Sequence, residues 1–297
     1  MILMNESVDT CKLSARITIL VGLFLTTSCS YQGCSRALLD SHTLADIFTS
    51  YFEREVCANQ LVERDNKKFE VNSITPFSGR SIEHHVLGPV SKVRFYDEGF
   101  LDGYQKDFYF NGQTKMTAKY ASGVKSGLKI LYTENGAVSL TAEYFQDRRH
   151  GLEIRYNPNG TLRYKKSYAN GVLHGPFEDG TDAPIYKVGN YHSGKIHGVL
   201  KTLNGSLVSE IGEYDHGTPV GIHKRLHENG NVIEKKSHLD GVHVKIETFH
   251  MNGELAGRFT LRNSEIHGRY EVFTKEGKLF RVNEYENGEL TKLGEFH

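Results

Sequence analysis

The sequence holds no tryptophan, only six prolines and four cysteines in 297 residues, and its 36 lysines and arginines are cancelled by 36 aspartates and glutamates. Each shortage excludes something. A formal net charge of zero leaves no basic stripe for a phosphate backbone, so a nucleic-acid partner is not expected. Without tryptophan the strongest stacking platform is missing as well. The cysteines show no C-x-x-C spacing and so no zinc or redox motif. G-x-S-x-G, a P-loop, H-E-x-x-H and a Rossmann glycine pattern are all absent. No catalytic residue is nominated, the chain reads as non-enzymatic, and neither cofactor nor metal is expected. The longest apolar run, Ile17 to Leu25, falls short of the ~20 residues a membrane-spanning helix requires.

What the sequence has in quantity is glycine, and the glycines keep time. One recurs at Gly103, Gly127, Gly151, Gly175, Gly198, Gly221 and Gly268, in steps of 23 or 24 residues once Lys245 is counted where one copy lacks it. A second recurs at Gly112, Gly136, Gly160, Gly180, Gly205, Gly230, Gly253 and Gly277. A tyrosine keeps the same beat at Tyr96, Tyr120, Tyr144, Tyr168, Tyr191, Tyr214 and Tyr285, with His238 and Leu261 in the remaining copies. Three landmarks in phase mark a repeat architecture in which each unit packs on its neighbours.

The punctuation gives the unit its shape. Asn-Gly at 111–112, 135–136, 159–160, 204–205, 229–230 and 252–253 predicts tight type I′ hairpin turns, which need positive φ at both central residues. Between turns, Val138, Leu140, Ala142 and Tyr144 alternate with Ser139, Thr141 and Glu143, the period of a strand with one apolar face. A second punctuation, Tyr-x-x-Gly as at Tyr120 to Gly123 and Tyr168 to Gly171, closes each strand and passes the chain onward.

The pattern G-x-x-x-x-(Y/F)-x-x-N-G followed by Y-x-N-G-x-x-x-G resembles the MORN-variant repeat, found in bacterial proteins often labelled toxin–antitoxin system antitoxins. The resemblance covers Leu61 to Thr291, including a lead-in from Leu61-Val62-Glu63-Arg64 to Pro76-Phe77-Ser78-Gly79. It implies an elongated antiparallel sheet and a binding or scaffolding role, with no catalytic residue. The fold expected is therefore all-β, a solenoid of about eight hairpin repeats of 23–24 residues behind a short N-terminal helix. The departures sit at the short copy around Gly175 to Gly180 and at His238, Lys245 and Leu261.

Ahead of the repeats, residues 1–28 read as a targeting segment and 29–60 as a tether and cap for a repeat domain over 61–297. Lys12 and Arg16 precede the apolar run, and Thr26-Thr27-Ser28-Cys29 ends it. This resembles the lipobox of bacterial lipoproteins and implies lipidation at Cys29, with Ser30 favouring the outer membrane, facing the periplasm. An ordinary cleaved signal and a retained anchor are the alternatives. Removal of the leader leaves Cys34 and Cys57, a pair able to form a disulfide in an oxidising envelope or to stay reduced. Leu38, Leu39, Leu44, Ile47, Phe48, Tyr51 and Phe52 fall at helical spacings and predict a cap for the first rung. Asn59 to Lys68 reads as a polar connection into the first strand.

Two sets of side chains invite chemistry. His150, His174, His197 and His267 occupy one repeat position, before the opening glycine. Equivalent positions two strands apart lie ~9.6 Å from one another, too far to share an ion. Repeat-encoded turn residues are the expectation there. The irregular set His216, His223, His227, His238, His243 and His250 leaves a cross-strand site open. The seven tyrosines should form a stripe along one sheet face, packed against adjacent rungs or lining a groove for a peptide, glycan or partner strand. The functional expectation is a non-catalytic protein-binding or scaffolding protein of the bacterial envelope. Its alternatives are a glycan or ligand module using the tyrosine face, or an intracellular antitoxin-like protein, in a secreted or cytoplasmic location.

Overall fold

The computed structural model describes residues 54–180 and 184–294. The leader, Cys29, Cys34 and the expected helical cap lie outside them. The described chain divides into two compact units.

The first unit comprises residues up to Val124 together with 134–136. It contains β1 (Glu55–Cys57), a 3-10 turn (Ala58–Gln60), β2 (Leu61–Arg64), β3 (Lys67–Glu70), β4 (Gly79–His84), β5 (Val90–Asp97), β6 (Phe100–Phe108) and β7 (Thr114–Ala121). β4 to β7 pair antiparallel in chain order, while β1 lies parallel to β4 with Glu55 opposite Arg80. The stretch expected as a polar connection is instead the 3-10 turn and the β2–β3 hairpin. Its turn residues Asp65 and Asn66 both take positive φ, 49° and 60°, without a glycine. Asx side chains tolerate that conformation, which hides the turn from a search for glycine. Phe77, 2% exposed, seals the join between this hairpin and the main ladder. Its N–H donates to Lys68 O and its ring lies 6.0 Å from that of Tyr96.

The second unit holds residues 125–133 and 137–294. Its strands are β8 (Val124–Tyr132), β9 (Val138–Phe145), β10 (Arg148–Tyr156), β11 (Leu162–Ala169), β12 (Val172–Gly180), β13 (Ile185–His192), β14 (Lys195–Ile196), β15 (Gly198–Asn204), β16 (Leu207–Asp215), β17 (Thr218–Leu226), β18 (Val232–His238), β19 (His243–Phe249), β20 (Leu255–Arg262), β21 (Glu265–Phe273), β22 (Leu279–Glu286) and β23 (Glu289–Lys292). Within the unit, strands consecutive in the chain pair antiparallel, except that the two-residue β14 pairs with β13 alone and β13 extends past it to pair with β15. The all-β architecture of consecutive hairpins is the one the repeat implies.

The landmarks meet across strands. Gly127 faces Tyr144, Gly151 faces Tyr168, Gly175 faces Tyr191, Gly198 faces Tyr214 and Gly268 faces Tyr285. The recurring glycine therefore serves a strand and not a turn. It sits at a positive φ, 105° at Gly151, where the register to the preceding strand slips. This is a β-bulge that only glycine adopts without strain. The histidines before it are strand or strand-edge residues accordingly, correcting the turn assignment: His150, His174 and His267 lie within β10, β12 and β21. Where Lys245 replaces the glycine, β19 pairs without a slip from Val244 to Glu247 on both sides. Losing the bulge shifts the alternation by one residue, so Ile246, 7% exposed, takes the buried place that Glu153 and Phe177 hold in β10 and β12.

Turn chemistry also departs from expectation. At Asn111-Gly112 the glycine alone takes positive φ, 82°. Gly112 N–H donates to Tyr109 O at 3.0 Å and Tyr109 N–H to Gln113 O at 2.8 Å. That is a three-residue loop, a type I turn closed by a glycine bulge. Two-residue type I′ turns occur at the other punctuation, as at Ser122-Gly123 (φ 48° and 85°) and Asn170-Gly171 (50° and 88°).

Candidate binding surfaces

All seven landmark tyrosines are half-buried, and their rings pack within the sheet. Lys125 Nζ lies 4.7 Å over the Tyr144 ring and the Arg149 guanidinium 4.7 Å over Tyr168. Tyr191 packs on Phe177 at 4.4 Å, Tyr214 on His223 at 5.0 Å and Tyr285 on Tyr270 at 6.3 Å. Two residues before four of the tyrosines, on the same face, stands a small residue: Ala118 and Ala142, both 0% exposed, Gly189 and Gly212. A Cβ on Gly212 would meet His223 Nδ1 at 2.2 Å. The glycine thus lets the His223 ring lie flat across the strand, its Nε2 2.7 Å from Glu213 O. The hollow above it, about 500 Å³, is lined by Leu200, Tyr214, His223, Arg225, Glu234 and Lys236 among others. His238, T-shaped to His223 at 4.8 Å, is held below the usual histidine range by burial, by His223 and by Lys236.

A polar network crosses the same face in β10 and β11. Glu153 is 6% exposed; it accepts from Arg149 Nη1 at 3.1 Å and from the Tyr164 hydroxyl at 2.8 Å, while Arg149 also donates to the Tyr168 hydroxyl at 2.9 Å. Burial pulls the Arg149 guanidinium down, but Glu153 and the tyrosines outweigh it and raise the group above its ordinary value. Burial, reinforced by Glu153, raises the Tyr164 hydroxyl. Every member has a charged or hydroxyl partner, so the network holds strands in register and offers no free acid or base.

The opposite face differs. The residue after the opening glycine points there; in the second unit Leu128, Val199 and Ile222 hold that place exposed by 44%, 46% and 50%, whereas Leu152 is half-buried and Pro176 and Arg269 stand in two other copies. The residue directly opposite each across the pairing is polar, Glu143, Glu213 and Ser237 respectively.

At one row of turns the histidines converge. The rings of His174 and His192 lie 5.0 Å apart, those of His192 and His216 5.3 Å, and those of His197 and His216 4.8 Å. Asp215 Oδ1 is 2.6 Å from His216 Nδ1 and 3.3 Å from His197 Nδ1. The hydrogen bond to His216 holds its carboxyl below the usual carboxylate range. The sequence left a cross-strand site open around His216 but kept it apart from the row that holds His197, and His192 stood in neither set; the pairing brings the three together. Of the expected cysteine pair only Cys57 is described, and it is disulfide-bonded.

No curated protein matches the chain. Residues 149–170, which run from the Arg149–Glu153 network through Tyr168 to the Asn170 turn, match the family described as MORN repeat variant, and with the same landmarks recurring on either side this supports a MORN-repeat protein.

Proposed function

We propose that the protein is a non-catalytic protein-binding or scaffolding repeat protein of the bacterial cell envelope, tethered by lipid at Cys29. The observation that carries the binding role is the exposed apolar row Leu128, Val199 and Ile222, at one repeat position on the face away from the packed tyrosines. Exposed apolar groups in register are a surface that a partner would cover. Photocrosslinkers placed at Val199 and Ile222 in cells should give one discrete adduct, while one at Thr202 on the tyrosine face gives none. No adduct at either face sinks the proposal. Intact mass and membrane fractionation beside Cys29→Ala test the tether. A lipid increment and membrane residence, both lost in the variant, support it; an unmodified soluble chain restores the intracellular antitoxin-like role.

One further reading has its own observation. The hollow of about 500 Å³ presents an aromatic ring, both charge signs and apolar walls, which suits a small polar ligand such as a glycan. Saturable thermal stabilisation by cell-wall fragments, lost in Tyr214→Ala, supports that module.

A further inference from the structure

We propose that His197, Asp215 and His216, completed by His192, form a zinc site on the turn edge of the second unit. The donor atoms of the first three lie within 4.8 Å of one another. Ligands held ~2.1 Å from a tetrahedral zinc stand ~3.4 Å apart. The 3.3 Å between His197 Nδ1 and Asp215 Oδ1 already meets that spacing. The closer contact from Asp215 to His216 opens as the ion replaces the hydrogen bond. The three side chains are 46%, 62% and 52% exposed, so they rotate without disturbing packing. The His192 ring lies 5.3 Å from that of His216 and 5.6 Å from that of His197, near enough to turn a nitrogen toward the ion as the fourth donor.

The chemistry selects the ion. Three imidazoles and one carboxylate suit zinc among biologically common divalent ions, whereas calcium and magnesium take oxygen donors. The backbone fixes the spacing before any ion arrives. Gly217 N–H donates to Ile196 O at 2.7 Å and Gly194 N–H to Leu173 O at 2.8 Å, tying each turn to its neighbour. The ion would therefore clamp the β13–β14 turn to the β16–β17 turn. Among the described residues this pair of rungs alone brings three such donors together: His192 and Asp215 occupy one turn position in successive repeats, where Ala121, Phe145 and Ala169 cannot ligate. The site stands independently of the partner-binding role.

The test uses the full chain without a histidine tag, stripped with chelator and titrated with zinc chloride by calorimetry, then with cobalt(II) for its absorption spectrum. One ion per chain and a tetrahedral cobalt spectrum are expected. Asp215→Asn and the pair His197→Gln with His216→Gln should each weaken zinc binding at least about tenfold, the scale on which metal sites respond even to outer-shell changes. His150→Gln, at the same repeat position as His197 but away from the cluster, should bind as the unaltered chain does. Metal-free melting temperatures of all variants establish that they fold. No saturable binding overturns the proposal. So does binding that the cluster variants leave unchanged, or that His150→Gln weakens as much as they do.

Discussion

Asn159-Gly160 and Asn170-Gly171 are the same two letters in one repeat, and they fold differently. At the first, Asn159 keeps a negative φ and only Gly160 is left-handed, at 85°. At the second, both residues are left-handed, at 50° and 88°. The dipeptide does not decide; the strand ends do. Ala169 and Val172 pair directly and leave two residues to turn, which requires type I′. Asn157 N–H reaches Thr161 O, leaving three, and the chain takes a type I turn with a glycine bulge. Asparagine consequently does two jobs. At 170 it tolerates a backbone; at 159 its Oδ1 accepts from Thr161 N–H at 3.0 Å and from the Thr161 hydroxyl at 2.6 Å.

The largest effect that would break this contrast comes from a β-branched residue. Asn170→Val forces valine into the left-handed region and should destabilise by ~2–3 kcal/mol, whereas Asn159→Val should cost about 1 kcal/mol for its lost hydrogen bonds. Urea midpoints of the two variants check the order, and equal losses would mean that the two turns are alike in solution. The converse exchange sharpens the same point. Asn170→Gly should be neutral within ~0.5 kcal/mol, while Asn159→Gly loses both side-chain bonds and should cost about 1–1.5 kcal/mol.

A smaller effect tests why this row uses asparagine where aspartate would also close the loop. Asn252 Oδ1 accepts from Glu254 N–H at 3.2 Å, and its Nδ2 donates to Lys275 O, 2.8 Å away in the next turn. Asn111 reaches Glu134 O in the same manner, while in the 227–231 loop it is Asn231, two places after the row residue Asn229, that reaches Met251 O. Aspartate keeps the first bond and loses the second. Asn252→Asp should therefore cost about 1 kcal/mol and Asn170→Asp about 0.5 kcal/mol or less, measured as thermal midpoints at neutral pH. Hydrogen exchange at the Lys275 turn should quicken only in the first.

The period and the strands were legible because single residue identities repeat to mark them; that the opening glycine is a strand bulge opposite the tyrosine was not, because it follows only from the register. The turn types were not, since they depend on how many residues the strands leave unpaired. The β2–β3 hairpin escaped notice because Asp65 and Asn66 replace the glycine that signals such turns. The missing glycine at Lys245 was visible as an irregularity, but its consequence, Ile246 and not Glu247 facing inward, follows only from pairing on both sides. The histidine cluster joins positions out of phase by part of a repeat, which a search for equivalents passes over.

The same irregular copy offers the subtlest test of the turn row. Between β18 and β19 the turn has no second left-handed asparagine or serine; Asp240 closes it instead. Asp240 accepts from the His243 ring at 2.8 Å, from His243 N–H at 2.7 Å and from Val242 N–H at 3.1 Å. These bonds, the His243 ring foremost, lower its pKa to about 2 from 3.8. A depressed carboxylate contributes stability above its unfolded pKa and loses it as pH falls through the folded one, so the window is pH ~4 down to ~2. The group is exposed, and screening keeps the effect small. Asp240→Asn preserves the acceptor for the backbone and removes the charge. Denaturation midpoints at pH 7 and at pH 2 should show the wild type ahead by a margin that narrows in acid; a constant margin would show that the charge at this turn contributes nothing and that shape alone holds it.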